Sequence, residues 1–191
     1  MSFHHTVLPP AAAQITKEVQ DVGFTMNCDD ETGALLRTLA ASKKSSRFLE
    51  LGTGAGFSTS WILDGMDKHS SLLTVEYDKT LHHIAEKYLG SDSRVEFVTG
   101  DGGEVIQNLQ GQSFDFIFAD TWPGKLRLLE ETLHLVKSGG FYIIDDLLPQ
   151  EEWPQKHREN IENVTEHLES RKDITSAGLD WSTGLMIAVK T

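Results

Sequence analysis

Apolar runs recur along the chain and alternate with segments of helical length. Six runs rich in apolar or β-branched residues predict strands at residues 47–51, 72–76, 95–99, 114–120, 140–145 and 185–189. The periodicity predicts helices at residues 9–20, 30–42, 57–68, 79–89, 126–137 and 154–170. Residues 171–176 are a further strand candidate, interrupted by charged side chains. The alternation predicts an α/β fold: a Rossmann-like, doubly wound, mostly parallel seven-stranded sheet with helices on both faces.

The stretch FLELGTGAGFSTS, residues 48–60, carries three glycines at alternate positions between a short apolar run and a helix start. Glycine tolerates positive φ and lets the backbone approach a ligand, and a helix N-terminus offers unpaired N–H groups to an anionic or polar group. The pattern E-x-G-x-G-x-G differs from the dinucleotide fingerprint G-x-G-x-x-G. It resembles the first motif of the class I methyltransferases, which implies S-adenosylmethionine (SAM) as the cofactor. The alternatives are a tight turn without a ligand and a degenerate dinucleotide loop.

Acidic residues stand at the carboxyl ends of the predicted strands, where an open parallel sheet binds its ligands. Glu76 ends the second strand, and a carboxylate there accepts hydrogen bonds from both hydroxyls of a ribose. The alternative for Glu76 is a surface position near Lys79. Asp101 follows the third strand, where a short polar side chain either reaches an adenine edge or caps the next helix.

Composition and charge narrow the class of partner. The chain has 191 residues, enough for one domain with a sizeable core, and its net charge of −12 repels the phosphates of nucleic acids and anionic membranes. We therefore expect a small-molecule acceptor, with no nucleic acid and no membrane as partner. The single cysteine, Cys28, excludes an internal disulfide. The chain has neither an apolar span of ~20 residues nor the pattern of a secretory signal, so the expected location is cytoplasmic.

From about Met26 to the C-terminus, the chain resembles the metal-dependent O-methyltransferases of the catechol and caffeoyl-CoA kind. The resemblance is carried by MNCDDETGALL, by ADTWPGK and by the closing WSTGLMIAVK. It implies that the backbone near Cys28 contacts the methionine part of SAM and that Ser58 holds the SAM carboxylate, with Glu50 near the amino group. It also implies that Trp122 packs on adenine, for which the alternative is a partly exposed loop aromatic. The predicted cofactor-binding residues are Met26, Cys28, Glu50, Gly52, Thr53, Gly54, Ser58, Glu76, Tyr77, Asp101, Gly102, Asp120 and Trp122.

The family places a metal at the ends of the fourth and fifth strands, where this chain has Asp120, Asp145 and Asp146. Three carboxylates with water and substrate oxygens suit Mg²⁺ or another hard divalent cation. Adjacent strand side chains point to opposite faces, so the acid pair shares one ion only if the backbone turns there, as the proline at 149 favours. The alternative is two unrelated acids at a strand end. Asp146 also departs from the family, which usually has asparagine at this position.

The catalytic base has no direct match in the sequence. The family carries a lysine immediately after the tryptophan, and here that position is Pro123. The nearest lysine, Lys125, is therefore the candidate base, and Asp120 is the other residue predicted to be catalytic. The alternative for Lys125 is an ordinary surface residue at the start of the next helix.

Together these expectations define one function: SAM-dependent methyl transfer to a hydroxyl of a small, catechol-like or phenolic acceptor, assisted by a divalent metal. The alternatives are a metal-independent methyltransferase on another small molecule and a SAM- or nucleotide-binding module without transfer activity. We expect one SAM-dependent methyltransferase domain over residues 1–191, with residues 1–25 as a helical or flexible N-terminal extension. Caffeoyl-CoA-type relatives tend to dimerise and catechol-type relatives tend to be monomeric, so the resemblance leaves a homodimer and a monomer open.

Overall fold

The computed structural model describes residues 7–191, in which helices and strands alternate as predicted. The first six residues of the predicted N-terminal extension lie outside this description. The helices are α1 (Ala12–Asp21), α2 (Asp30–Ala41), α3 (Phe57–Gly65), α4 (Lys79–Leu89), α5 (Gly102–Asn108), α6 (Leu129–Leu135) and α7 (Gln155–Ser170). The strands are β1 (Arg47–Leu51), β2 (Ser71–Glu76), β3 (Val95–Thr99), β4 (Phe114–Ala119), β5 (Val136–Ile144), β6 (Ile174–Leu179) and β7 (Leu185–Lys190).

The strands form one seven-stranded sheet in the order β3-β2-β1-β4-β5-β7-β6. Parallel pairs join β1 to β2, β2 to β3 and β4 to β5, whereas β7 runs antiparallel to both β5 and β6. The predicted α/β fold with a mostly parallel sheet is therefore confirmed. In such a sheet, the carboxyl ends of the parallel strands are where ligands bind.

The chain divides into two compact units, Met1–Gly100 and Asp101–Thr191. The first unit contains α1 to α4 with β1 to β3, and Trp61 is its largest fully buried side chain. The second unit contains α5 to α7 with β4 to β7, and Tyr142 is the largest fully buried side chain there. Each unit therefore has an apolar core of its own. The single domain expected over the whole chain stays a prediction.

Three helices begin at an aspartate whose side chain accepts hydrogen bonds from first-turn N–H groups. Asp29 caps α2, Asp78 caps α4 and Asp101 caps α5. Helix α5 was not among the predicted helices, because a segment of 7 residues is too short to show a helical period. The one signal for this helix in the sequence was Asp101, for which capping of a following helix was one of the two alternatives.

Three predicted boundaries differ from those in the structure, at the starts of α6, β5 and β6. Helix α6 begins at Leu129 rather than at 126, since Leu128 has a φ of 59° and interrupts the helical backbone. Strand β5 begins at Val136 rather than at 140, because Val136 pairs with Phe114 in the sheet. Strand β6 begins at Ile174 rather than at 171. Within residues 7–191, none of the helices has the length and apolar character needed to cross a membrane.

Candidate functional site

The glycine turn between β1 and α3 has the conformation that its sequence predicts. Gly52, Gly54 and Gly56 have φ angles of 100°, 52° and 91°, in the left-handed region that favours glycine. The N–H groups of Gly52 and Thr53 donate to the carbonyl of Val75 on β2, at 3.0 and 3.1 Å. The turn is thereby fixed against β2. It leads into α3, whose first N–H groups have no partner within the helix.

Glu50 lies at the centre of a buried hydroxyl network beside this turn, and its side chain has no exposed surface. The Ser58 hydroxyl donates to Oε1 at 2.6 Å. The hydroxyls of Thr59 and Thr74 both donate to Oε2, also at 2.6 Å. The Thr53 hydroxyl lies 2.5 Å from that of Thr74. Because these residues belong to β1, β2, α3 and the turn, the network holds the four segments together around one carboxyl group.

The environment of Glu50 favours its neutral form. Burial raises the pKa of Glu50 to about 7, against the lowering effect of the three hydroxyl donors, and repulsion from Glu76 adds to the rise. The Ser58 proton is directed to Glu50, whereas the first-turn N–H groups of α3 have no partner within the helix. The contacts of Glu50 and Ser58 with SAM stay predictions. Sequence reasoning missed Thr59 and Thr74, because hydroxyl residues within a buried strand or helix form no recognisable motif.

Glu76 reaches back from the end of β2 to the glycine turn. Its Oε2 accepts a hydrogen bond from the Gly54 N–H at 2.8 Å, and its Oε1 accepts one from the Asp78 N–H at 2.8 Å. A carboxylate has about four lone-pair sites, so both oxygens retain the capacity to accept ribose hydroxyls. The geometry is therefore compatible with the predicted role of Glu76.

Three of the predicted cofactor contacts are large apolar side chains that face solvent. Met26 is 75% exposed, Tyr77 is 77% exposed and Trp122 is 61% exposed. Exposed apolar groups of this size are characteristic of binding surfaces when they cluster, although single ones are common. Their exposure fits apolar contacts with a ligand. Cys28 is half-buried.

In the second unit, Asp101 serves as the cap of α5. Its Oδ1 accepts hydrogen bonds from two first-turn N–H groups, at 2.8 and 3.2 Å, and from the guanidinium of Arg127, at 3.1 Å. Desolvation acts to raise the pKa of Asp101, but these hydrogen bonds outweigh it and hold the pKa below its usual range. A Cβ on Gly102 would lie 3.2 Å from the Cβ of Pro123, so glycine lets the two segments approach closely. The adenine contact predicted for Asp101 stays a prediction.

The acid pair lies where β5 ends, together with a buried lysine. Asp145 is 3% exposed, and its Oδ1 accepts hydrogen bonds from the Thr183 hydroxyl at 2.9 Å and from the Asp146 N–H at 2.8 Å. Asp146 has a φ of 59°, so the backbone turns sharply at this residue. The Lys125 Nζ donates to the Asp145 carbonyl at 2.8 Å and lies 3.8 Å from Oδ2 of Asp146. Thr183 was not predicted as part of this cluster.

The charge on Asp145 is partly compensated. Burial raises the pKa of Asp145 to about 6, although the hydrogen bond from the Asp146 N–H lowers it. The negative charge of Asp146 raises the pKa further, whereas the Thr183 hydroxyl and the Lys125 ammonium lower it. Lys125 therefore stabilises the ionised form of the carboxylate beside it.

A tight loop after β4 directs Lys125 inwards. The carbonyl of Trp122 accepts hydrogen bonds from three successive N–H groups, those of Lys125, Leu126 and Arg127, at 3.1, 2.8 and 3.0 Å. Gly124 has a φ of 90°, and its carbonyl accepts a hydrogen bond from the buried hydroxyl of Tyr142 on β5. This loop makes the Lys125 side chain only 4% exposed, so the alternative of a surface lysine is wrong.

The residues of the second unit do not fit the three-carboxylate metal site that the resemblance implies. The turn at Asp146 does meet the geometric condition for a shared ion. However, no three His, Cys, Asp or Glu side chains in residues 7–191 are arranged to hold a metal ion. The Lys125 ammonium faces the acid pair instead, and Asp120, which follows β4, is half-buried.

Trp122 stands in an aromatic cluster with Trp153 and His157, the last of these on α7. The rings of Trp122 and His157 are 5.9 Å apart, and the rings of Trp153 and His157 meet edge to face at 4.5 Å. Edge-to-face and tilted arrangements of this kind are favourable geometries for aromatic pairs, and they leave ring faces available to other planar groups. The sequence interpretation included Trp122 but explained Trp153 as a partly exposed loop aromatic, and it missed His157 as the ring partner of both.

The structure thus brings together two separate sets of predicted residues. In the first unit, Glu50, Thr53 and Ser58 share one hydroxyl network, and Glu76 is bonded to Gly54. In the other unit, the second set meets at the end of β5 and consists of Lys125, Asp145 and Asp146.

Comparison with known proteins places this chain among methyltransferases. A family model described as a methyltransferase domain matches residues 49–147, about half of the chain. A putative O-methyltransferase from Mycobacterium sp. (strain KMS) is 30% identical over 117 residues, which cover 59% of this chain and 53% of that protein. A catechol O-methyltransferase from Mycobacterium tuberculosis is 29% identical over 122 residues, which cover 62% of this chain and 56% of that protein. The chain spans about half the length of the curated relatives it matches.

Solved structures share the fold over nearly the whole chain. The O-methyltransferase TomG from Streptomyces achromogenes, in complex with SAM, superposes with a TM-score of 0.85 at 21% identity, covering 98% of this chain and 92% of that one. An O-methyltransferase from Bacillus cereus, in complex with SAH, gives a TM-score of 0.83 at 20% identity, covering 95% and 90%. These likenesses confirm the class I methyltransferase fold.

Proposed function

We propose that this chain, which belongs to the methyltransferase domain family, transfers the methyl group of SAM to a hydroxyl of a small, catechol-like or phenolic acceptor. The observation that carries the proposal is the glycine turn. Three glycines there adopt positive φ at the start of α3, and Glu76 is bonded to the Gly54 N–H beside them. Several relatives bear the name O-methyltransferase, which supports an oxygen acceptor.

The chain offers a distinct group for each part of SAM. The N–H groups at the start of α3 suit the carboxylate, because a helix N-terminus carries partial positive charge. Glu76 suits the ribose hydroxyls, and Trp122 offers an exposed ring face for adenine. When bound, SAM supplies a methyl carbon whose bond to sulfur breaks as the bond to the acceptor oxygen forms, while the hydroxyl proton leaves to water or a base.

The buried hydroxyl network keeps the turn in its binding conformation. Two of the three hydroxyl donors to Glu50 lie at the start of α3 and the third lies on β2, so the segments on either side of the glycine backbone are held before any ligand arrives. Preorganisation of this kind lowers the cost of binding, because fewer groups are ordered when the complex forms. The alignment of donor and acceptor then supplies several kcal/mol of the barrier reduction.

The acceptor side of the proposal rests on charge and aromatic surface. A net charge of −12 disfavours a polyanionic acceptor. Beside the Trp122 face that is offered to adenine, the rings of Trp153 and His157 provide a further aromatic surface, which favours a planar acceptor. The metal-assisted form of the reaction requires a set of ligands that the described residues do not present, so no step is assigned to a metal.

The test is methyl transfer from isotopically labelled SAM to a panel of catechols and monophenols, with SAM binding measured in parallel by calorimetry. We expect labelled methyl ether product and one SAM site per chain. Gly54→Ala should weaken SAM binding, because a side chain is strained at a φ of 52° and its Cβ would lie 3.4 Å from Phe24. Gly111→Ala is the matched control, since Gly111 also has positive φ but has nothing within 4 Å of its Cβ position.

SAM binding without transfer to any acceptor would instead identify a binding module. Equal SAM affinity in the wild type and Gly54→Ala would remove the glycine turn from the site.

A further inference from the structure

We propose that the ammonium of Lys125 supplies, at the end of β5, the positive charge that the family resemblance assigns to a divalent ion, and that it positions Asp146 for a single hydroxyl of the acceptor. The acceptor in this proposal rests on the proposed function. The role of the lysine rests on the geometry of the second unit alone. It replaces the predicted role of Lys125 as the base with a positioning role.

The ammonium of Lys125 lies beside the acid pair at the end of β5. Nζ of Lys125 bonds the Asp145 carbonyl at 2.8 Å and lies 3.8 Å from the Asp146 carboxylate. The Lys125 side chain is 4% exposed, whereas that of Asp146 is 43% exposed. The lysine is therefore shielded from an acceptor, and Asp146 is the member of the pair that solvent and small molecules reach.

The positive charge of Lys125 offsets negative charge on the acid pair. Burying a carboxylate such as Asp145 is costly unless a partner of opposite charge or hydrogen-bond donors compensate it. Thr183 and one backbone N–H donate to Asp145, and the nearby ammonium of Lys125 adds a positive charge. One lysine thus balances part of the charge of two adjacent carboxylates.

The loop that follows β4 holds Lys125 in its buried position. Lys125 is buried because the Trp122 carbonyl binds three N–H groups and because Tyr142 holds the Gly124 carbonyl from β5. These hydrogen bonds fix the direction of the lysine before any ligand is present. A lysine on a solvated helix start would need none of them, so the loop is shaped to bring the ammonium to the acid pair.

A consequence follows for the acceptor. A divalent ion chelates two neighbouring oxygens, which makes a vicinal diol the preferred partner of a metal site. A carboxylate held by an ammonium positions its acceptor by hydrogen bonding, for which one hydroxyl is enough. The acceptor class therefore includes compounds with a single positioned hydroxyl, and a second, adjacent hydroxyl is not required.

The test that does not depend on activity is a Mn²⁺ titration followed by electron paramagnetic resonance. We expect the wild type to bind Mn²⁺ only weakly, with a dissociation constant above the protein concentration used. We expect Lys125→Met to gain at least about tenfold in Mn²⁺ affinity, because a positive charge beside two carboxylates has been removed. Lys137→Met is the matched control: Lys137 also pairs with an aspartate, Asp115 at 2.7 Å, but is 40% exposed and outside the acid pair. One tight Mn²⁺ site in the wild type, lost in Asp145→Asn, would overturn the proposal.

The activity test separates the proposal from the proposed function. We expect turnover to withstand EDTA, and kcat/KM for a monophenol to lie within about tenfold of that for the matching catechol. Turnover that EDTA abolishes and Mg²⁺ restores would refute the lysine proposal and leave the methyltransferase standing. If no acceptor is methylated, the proposed methyltransferase function is contradicted. The Mn²⁺ titration then still tests whether the Lys125 ammonium occupies the position of a divalent ion.

A positioning role also predicts a specific rescue. Lys125→Ala should lower kcat while leaving the SAM dissociation constant unchanged, and added propylammonium should restore turnover where propanol does not. Equal rescue by propanol would show that the lysine only fills space, and full turnover of the unrescued variant would show that it has no role in the reaction.

Discussion

At the scale of single residues, charged groups that are nearly fully buried mark both units. Glu50 is 0% exposed, and Lys125 and Asp145 are each 3% exposed. Such residues are almost never fully buried unless they are paired or hydrogen-bonded. Glu50 has three hydroxyl donors and no cation in its network, whereas Asp145 has a lysine nearby. The two carboxyl groups therefore respond differently to pH and to mutation.

The raised pKa of Glu50 predicts a loss of stability as pH rises. Burial places the pKa at about 7 in the folded chain, above the ordinary value near 4.5, so the folded state holds a proton that the unfolded state releases. The stabilisation is complete below about pH 4.5 and is lost by about pH 7, to a total of roughly 3 kcal/mol. The measurement is urea unfolding of the wild type and Glu50→Gln from pH 4.5 to 7.5. The free-energy difference between them should shift against the wild type with rising pH, and a flat difference would contradict the raised pKa.

Trp122 offers a second prediction at this scale. Replacing it by alanine should weaken SAM binding by about 1 kcal/mol, the increment of an aromatic contact. Calorimetry on Trp122→Ala checks this, with Trp181→Ala as the control, since Trp181 is another partly exposed tryptophan at 37% and lies between β6 and β7. If both variants bind SAM as the wild type does, Trp122 has no packing role on adenine.

At the scale of elements, helices α2 and α3 pack so closely that one residue must be glycine. A Cβ on Gly33 of α2 would lie 2.4 Å from the indole Nε1 of Trp61 on α3, closer than real side chains come. Arg37, one turn further along α2, lies over the same indole ring at 4.9 Å. The MNCDDETGALL segment therefore has a packing function in addition to the predicted contact with SAM.

Gly33→Ala should destabilise the chain by about 1–3 kcal/mol, because the added methyl forces a rigid, buried ring to move. The free energy of unfolding measures this directly. Gly178→Ala on β6 is the control, since nothing lies within 4 Å of the position its Cβ would take. Equal unfolding free energies for the two variants would mean that the α2–α3 interface accommodates the added methyl group without loss of stability.

At the scale of the whole molecule, the predicted cofactor makes stability depend on ligand concentration. A ligand that binds the folded state alone stabilises it by RT ln(1 + [L]/Kd), about 2.7 kcal/mol at a hundredfold excess over Kd. For a chain of 191 residues this raises the melting temperature by about 5–10 °C. Differential scanning fluorimetry with SAM and SAH should show the shift, and ATP serves as the control nucleotide. A shift with ATP alone, or none at all, would point away from a SAM site.

Much of the fold could be predicted because it depends on local pattern. The apolar runs and helical periods located nearly every element, and the three alternate glycines predicted the left-handed turn, because φ preference belongs to the residue itself. Helix α5 was missed because its signal is too short, and the start of β5 was displaced because pairing with Phe114 is a long-range contact. The two misses have different causes: a helix of 7 residues is too short to show a period, and the start of a strand depends on a partner that is distant in sequence.

The sequence by itself determined the alternation of strands and helices, the glycine turn and the acidic residues at strand ends. Only the tertiary structure decided how those acids are used. Glu50 became a buried, hydroxyl-bonded carboxyl group because Thr59 and Thr74 converge on it from α3 and β2. Lys125, predicted as either a base or a surface residue, became a buried partner of the acid pair because a loop and a strand hold it there. Spacing along a chain fixes the residue types available at a strand end, but burial and charge pairing arise from contacts between distant segments, and these set the chemistry of each group.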